Sequence, residues 1–206
     1  LISLCPDWVE CNVFVKREKV FPNQNALNER QLPSLADKLA MYEALTQRLQ
    51  FSGYQPVGLS LFSQANHALA TAQVNGSLSL NILGFSPQPQ SWVIGVGLGA
   101  MSELPGMIVQ NHTSLDIWQK MIDDNFLTVT KGVLDDSDHS ECRIILRQLM
   151  CNQLVAYEPV SDVASHVLHP LIESGFVALK GSALSVTELG REFLPQLLSD
   201  SSPAYR

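Results

Sequence analysis

Two short runs of branched apolar residues, Pro56 to Leu61 and Val93 to Val96, bracket a helical stretch, and this order limits the folds open to the chain. Runs so short and so uniformly apolar keep no polar face for water, which is the pattern of buried parallel strands. The helix between them spans Asn66 to Val74 and is stopped by Asn75-Gly76. A strand, helix, strand order predicts an α/β unit. Upstream, Asn12 to Val15 predicts a short strand and Lys16 to Arg30 a loop. Ser34 then caps the clearest amphipathic helix, with Asp37 in its first turn and Leu35, Tyr42, Leu45 and Leu49 at helical spacing up to Gly53.

The character changes after Asn111. Ser114 predicts the cap of a helix carrying Leu115, Trp118, Met121 and Ile122, and a longer helix from about Asp138 to Leu154 presents Ile145, Leu149 and Cys151. No strand of buried type is readable after it. A helix over about Val160 to Glu173 leads to Gly175, and Phe176 to Leu179 and Ala183 to Val186 predict a hairpin about the turn Lys180-Gly181-Ser182. Thr187 caps a last helix through Leu198, and the tail from Ser199 is expected to fray. The expected organisation is an α/β part over residues 1–111, followed by a helical, winged-helix-like domain over 112–206. Leu149, Leu168, Leu171, Phe176 and Leu194 are the expected core of the second part.

With 206 residues, 46% of them hydrophobic, the chain has enough apolar surface for a core. A formal charge of −7, with 16% charged residues, provides no basic field for phosphates or anionic lipid, so nucleic acid is not an expected partner. No apolar run approaches the length of a bilayer span, so no membrane association is expected either. The four cysteines, Cys5, Cys11, Cys142 and Cys151, are spaced as neither a zinc ribbon nor a dense disulfide framework. Reduced thiols and a cytoplasmic location are expected. No methionine stands at position 1, as in a chain that begins inside a longer polypeptide.

Few residues offer chemistry. Gly95-Val96-Gly97-Leu98-Gly99-Ala100 follows an expected strand and formally fits the dinucleotide pattern, but Pro105-Gly106 interrupts the helix that pattern needs. A tightly packed strand end and a cofactor-facing loop of another kind are the readings left open. His166 and His169 are the histidines close enough to share a helix face, and without a cysteine or acidic third ligand they read as solvent-facing; no metal is assigned. Ser60, Ser63 and Ser86 lack the context of a hydrolase nucleophile. Asp135-Asp136-Ser137-Asp138 precedes a helix, where carboxylates oppose the positive dipole end, so capping is preferred to cation binding. The segment Asp162 to Glu173 carries neither lysine nor arginine, and the hairpin carries only Lys180, so the winged part reads as a packing or lid domain.

Several fragments, in order, carry a resemblance. They are Ser52-Gly53-Tyr54, Val57-Gly58, Phe62, Leu69-Ala70, Gly76-Ser77-Leu78, Asn81, Gly84-Phe85 and Gln88, then Gly95-Val96-Gly97, Ala100-Met101-Ser102 and Gln110-Asn111. Lys131-Gly132, Arg143, Leu149-Met150-Cys151-Asn152 and Thr187-x-x-Gly190-Arg191 complete the series. From about Leu32 to Leu194 the chain resembles the C-terminal half of the oxygen-independent coproporphyrinogen III oxidase family, radical S-adenosylmethionine enzymes of haem biosynthesis. The resemblance implies the remnant of a partial (β/α) barrel ahead of a helical domain that covers the pocket. It also implies S-adenosylmethionine and a 4Fe-4S cluster as cofactors, and oxidative decarboxylation of propionates to vinyl groups as the activity.

The chain departs from that pattern where the chemistry lies. Nothing corresponds to the family's C-x3-C-x2-C cluster motif, so no catalytic residue and no cluster ligand is assigned. Where the family reads G-x-D-H-F-A-R, the chain has Gly58-Leu59-Ser60-Leu61-Phe62-Ser63-Gln64, without the acid, the imidazole and the guanidinium. Where it reads H-R-N-F-x-G-Y-T-T-Q, the chain runs Ser79 to Gln88 and retains Asn81 and Gln88. What the resemblance leaves as cofactor-binding positions is Asn81, Gln88, Gly97, Gly99, Ala100 and Met101. Three readings follow: the C-terminal portion of such an enzyme, inactive alone; a degenerate relative that binds a tetrapyrrole or regulates an active enzyme; and a structural interaction module. The open strand edges of a partial barrel add an expected partner, either a missing N-terminal half or a second copy in a homodimer.

Overall fold

The computed structural model describes residues 2–12, 14, 16, 18, 21–28, 31–89, 92–134, 137–151, 154–156, 162–191 and 193–194. Its first long helix, α1 (Leu35–Phe51), begins as expected: Asp37 donates its backbone N–H to Ser34 Oγ, and the Asp37 carboxylate accepts from the Ser34 N–H at 3.0 Å. This reciprocal capping box satisfies two orphan donors of the first turn. It also holds the Asp37 carboxyl below its usual range, through the side-chain and then the backbone hydrogen bond from Ser34. Little of α1 is enclosed; Leu49 is buried, whereas Met41 and Leu45 face solvent.

The strand nearest the N-terminus is β1 (Trp8–Glu10), ahead of the expected Asn12 to Val15; Asn12 and Phe14 are irregular, and residues 13 and 15 lie outside the described set. The apolar run from Pro56 is not one buried strand. It folds back on itself as β2 (Tyr54–Val57) and β3 (Leu61–Gln64), with Val57 opposite Leu61. Gly58 makes the reversal: its φ is +57°, a conformation costly for residues bearing a Cβ, and its N–H donates to Gln73 Oε1 at 2.7 Å. β3 is central in a sheet of order β1-β3-β2, antiparallel on both sides. The expected parallel strands are absent among the described residues, because every strand pairing there is antiparallel.

Helix α2 (Ala68–Asn75) follows, close to the expected span, and ends on Gly76 in the left-handed conformation. The next elements form a hairpin of β4 (Ser79–Asn81) and β5 (Gly84–Ser86). Val93 to Val96 is not a strand either. Val93 makes an isolated bridge to Glu103, and Ile94 and Val96 are 69% and 90% exposed. Short glycine spacing explains this, since Gly95, Gly97 and Gly99 withhold the side chains that a buried strand packs. The real strands come later: β6 (Met101–Leu104), β7 (Met107–Asn111) and β8 (Val129–Leu134) form a sheet in that order. Helix α3 (Leu115–Asp123) connects β7 to β8, so this sheet spans both sides of residue 111.

Beyond it lie α4 (Ser137–Met150), a two-residue strand β9 (Val155–Ala156), α5 (Asp162–Glu173) and the hairpin β10 (Val177–Lys180) and β11 (Ala183–Val186). β9 adds to β11, making three strands where two were expected. Residues 188–191 and 193–194 are helical; the expected continuation to Leu198 and the tail lie outside the described residues. Leu149, Leu168 and Leu194 are fully buried in one cluster, with Leu171 and Phe176 packed against it. Leu59, from the β2–β3 turn, is buried in this same cluster, while Cys151, at the end of α4, is buried with Val57, Leu61 and Leu69. Each cluster therefore borrows a side chain from the other part of the chain.

Candidate functional site

Four of the six expected cofactor positions share one loop. Gly97 and Gly99 have φ of +107° and +66°, and the loop is laced to β7 and the residue after it. The Asn111 Nδ2 donates to the Gly97 carbonyl at 2.8 Å, the Gln110 Nε2 to the Gly99 carbonyl at 3.0 Å, and the Gly99 N–H to the His112 carbonyl at 2.9 Å. Ala100 accepts from the Asn111 N–H, and Met101 begins β6 opposite Gln110. Gly95 is fixed from the same side: its N–H donates to Ser102 Oγ, and a Cβ there would lie 2.3 Å from the Met101 carbonyl oxygen. No helix opens after this loop, so it lacks the N-terminal donors of a dinucleotide site. A Cβ at Gly97 would meet nothing within 4 Å, so a ligand can approach the backbone there.

Asn81 and Gln88 sit on the β4–β5 hairpin and its exit. The Asn81 Oδ1 accepts from the Leu83 N–H at 2.8 Å and shapes the turn, and the Gln88 carbonyl accepts from the Ser79 and Ser86 hydroxyls, both at 2.9 Å. The hairpin is joined to β6 by residues that the sequence did not single out. The Ile82 N–H donates to Glu103 Oε2 at 3.2 Å, and Glu103 takes both forks of Arg147 on α4, one of them at 3.2 Å. The two side chains are 14% and 24% exposed. A lone carboxylate in a strand and one of two arginines in a helix, more than forty residues apart, carry no local signal of pairing.

The β2–β3 turn, where the resemblance calls for an acid, an imidazole and a guanidinium, is closed. Ser60 and Leu61 are buried, Ser63 is fully so, and Gln64 Nε2 donates to the carbonyls of Cys5 and Pro6, both at 3.2 Å. Tyr54 OH also donates to Pro6, at 2.7 Å, which ties the N-terminal segment over this sheet. A cavity of about 460 Å³ opens there, lined by residues including Cys5, Tyr54, Gln64 and Asn66, none of them an expected cofactor position.

The thiols do not converge. Cys5 is exposed, Cys142 and Cys151 are buried in different clusters, and the described residues contain no group of three His, Cys, Asp or Glu able to hold a metal. Burial pushes the Cys151 thiol up to about 12 against the opposing pull of Arg147. Cys142 and Cys11 are also raised, by burial first and by Glu141 and Glu10 second. The donor set does not fit a cubane cluster. His166 is exposed, and His169 pairs with Glu173 at 3.3 Å on the surface of α5.

The arrangement of small sheets and helices is similar to that of part of a solved radical SAM enzyme. Coproporphyrinogen III oxidase from Escherichia coli, described as a radical SAM enzyme, superposes with a TM-score of 0.78 over 94% of this chain and 47% of that one, at 25% identity. In sequence, the chain is related to the oxygen-independent coproporphyrinogen III oxidases, consistent with their C-terminal half. The Pseudomonas aeruginosa enzyme is 27% identical over 202 residues, covering 93% of this chain and 44% of the relative. The Synechocystis enzyme is 30% identical over 149 residues, covering 72% and 32%. The chain thus spans less than half the length of the curated relatives it matches. No family model matches it.

Proposed function

We propose that this chain is the cluster-free portion of a coproporphyrinogen III oxidase-like protein of haem biosynthesis, and that alone it does not carry out the oxidative decarboxylation. The observation behind this reading is similarity along nearly the whole chain, joined to four thiols that cannot converge on one cluster. In this reading the chain is the C-terminal part of such a protein, its last helices and hairpin form a winged-helix-like cover, and the protein is cytoplasmic. No described helix is long and apolar enough to cross a membrane. Bound S-adenosylmethionine would supply the radical in a complete enzyme. Here the loop Gly97 to Met101 and the hairpin bearing Asn81 and Gln88 would contact its adenosyl or methionyl part.

Isothermal titration with S-adenosylmethionine, alongside an anaerobic assay with coproporphyrinogen III, tests both parts. Binding without turnover is expected. Vinyl product formed by the chain alone, or no binding at all, would overturn the reading. A second reading, a degenerate relative that binds a tetrapyrrole or regulates an active enzyme, is favoured by the β2–β3 turn. There Ser60 and Leu61 are buried and Gln64 secures the N-terminal segment, so the replaced positions now serve packing.

A further inference from the structure

We propose that Glu103 and Arg147 are positioning residues, which set the spacing between the hairpin carrying Asn81 and the loop from Gly97 to Met101. The inference rests on the reading of that loop and hairpin as contacts for S-adenosylmethionine. Glu103 stands two residues after Met101 in β6, so both side chains project from the same face of the strand, and Ser102 between them turns to the other face to bind the Gly95 N–H. On its own face, Glu103 meets two elements at once. One oxygen accepts from the Ile82 N–H at 3.2 Å, immediately after Asn81, and both oxygens receive the Arg147 guanidinium. Glu103 is fixed along the strand as well, since its backbone N–H and carbonyl exchange 2.8 Å bonds with Val93.

The hairpin has a short ladder of its own, three residue pairs, and its tip is open: Leu83 is exposed and a Cβ at Gly84 would meet nothing within 4 Å. The carboxylate therefore pins the turn to the strand that begins at Met101. Arg147 keeps that carboxylate aimed, because a fork of two N–H donors fixes both oxygens in one plane. A neutral amide in its place retains one acceptor but loses the fork.

The test compares the full chain with its Glu103→Gln and Arg147→Lys variants, by amide hydrogen exchange and by titration with S-adenosylmethionine. Glu103→Gln should speed exchange at the 82–84 amides at least tenfold while leaving the Leu149 and Leu168 helices protected. It should also weaken S-adenosylmethionine at least fivefold, with Arg147→Lys intermediate in both. Unchanged 82–84 exchange in a folded Glu103→Gln variant refutes the strut. Faster exchange with unaltered affinity refutes its role in positioning the ligand. A wild-type chain that binds no S-adenosylmethionine refutes the reading of the loop and hairpin as its contacts, and the exchange measurements still decide the link from Glu103 to the hairpin by themselves.

Discussion

Replacing Gly58 by alanine isolates the feature that turned an expected strand into a hairpin. The backbone there has φ +57°, and an added Cβ would lie 2.5 Å from Phe85 Cε1 and 2.8 Å from the Met150 carbonyl oxygen. The ring can shift, but the carbonyl belongs to the end of α4 and cannot yield without moving the helix. A left-handed backbone costs a residue with a Cβ about 1–2 kcal/mol, and forcing volume into a packed site costs about 1–3 kcal/mol, so the variant should lose roughly 2–5 kcal/mol. For a chain of this size, each kcal/mol lowers Tm by about 2–4 °C, which predicts a fall of roughly 4–20 °C. Urea unfolding followed by circular dichroism measures the loss directly. Phe85→Leu in the same background should recover only part of it, because the Met150 carbonyl and the positive φ remain. A Gly58→Ala variant within about 0.5 kcal/mol of wild type, the range of surface substitutions, would refute the reasoning.

The motif Thr187-x-x-Gly190 behaves similarly. Thr187→Ala removes a cap that accepts from the Gly190 N–H at 3.0 Å, at a cost of about 1 kcal/mol. Gly190→Ala places a Cβ 2.0 Å from the Phe176 carbonyl oxygen and should cost more than the cap, as denaturant midpoints would show. Native labelling with a thiol reagent at pH 8 should modify exposed Cys5 first and Cys151 only on unfolding. The folded Cys151 keeps its proton up to about 12 against an ordinary 9.0, so its contribution to stability is complete below pH 9 and is lost as pH rises towards 12, testable by unfolding at successive pH values. Anaerobic reconstitution with iron and sulfide should leave the protein colourless; stoichiometric iron with a visible charge-transfer band would show that the thiols can converge.

Local signals were legible where the cause was local. The Ser34 cap, the Gly53 and Gly76 stops and the hairpin around Gly181 each depend on residues within one turn of one another, and each stands where the residues place it. The order of glycine and amide fragments likewise carries the kinship with the relatives that the chain matches. Strand assignment failed where apolar character was the sole guide. Pro56 to Leu61 and Val93 to Val96 match a buried strand in composition, but periodicity carries no information about a glycine that reverses the chain.

The sequence by itself therefore determined the Ser34 cap, the stops at Gly53 and Gly76 and the kinship, because residue type and near-neighbour spacing are enough for these. Tertiary structure decided what lies opposite what. Antiparallel pairing replaced the parallel arrangement, Gln64 became a tether for the N-terminal segment, and Glu103 met both Ile82 and Arg147. The Gln64 and Glu103 contacts join residues about twenty to sixty positions apart, and only a folded backbone brings their donors and acceptors within 3.5 Å.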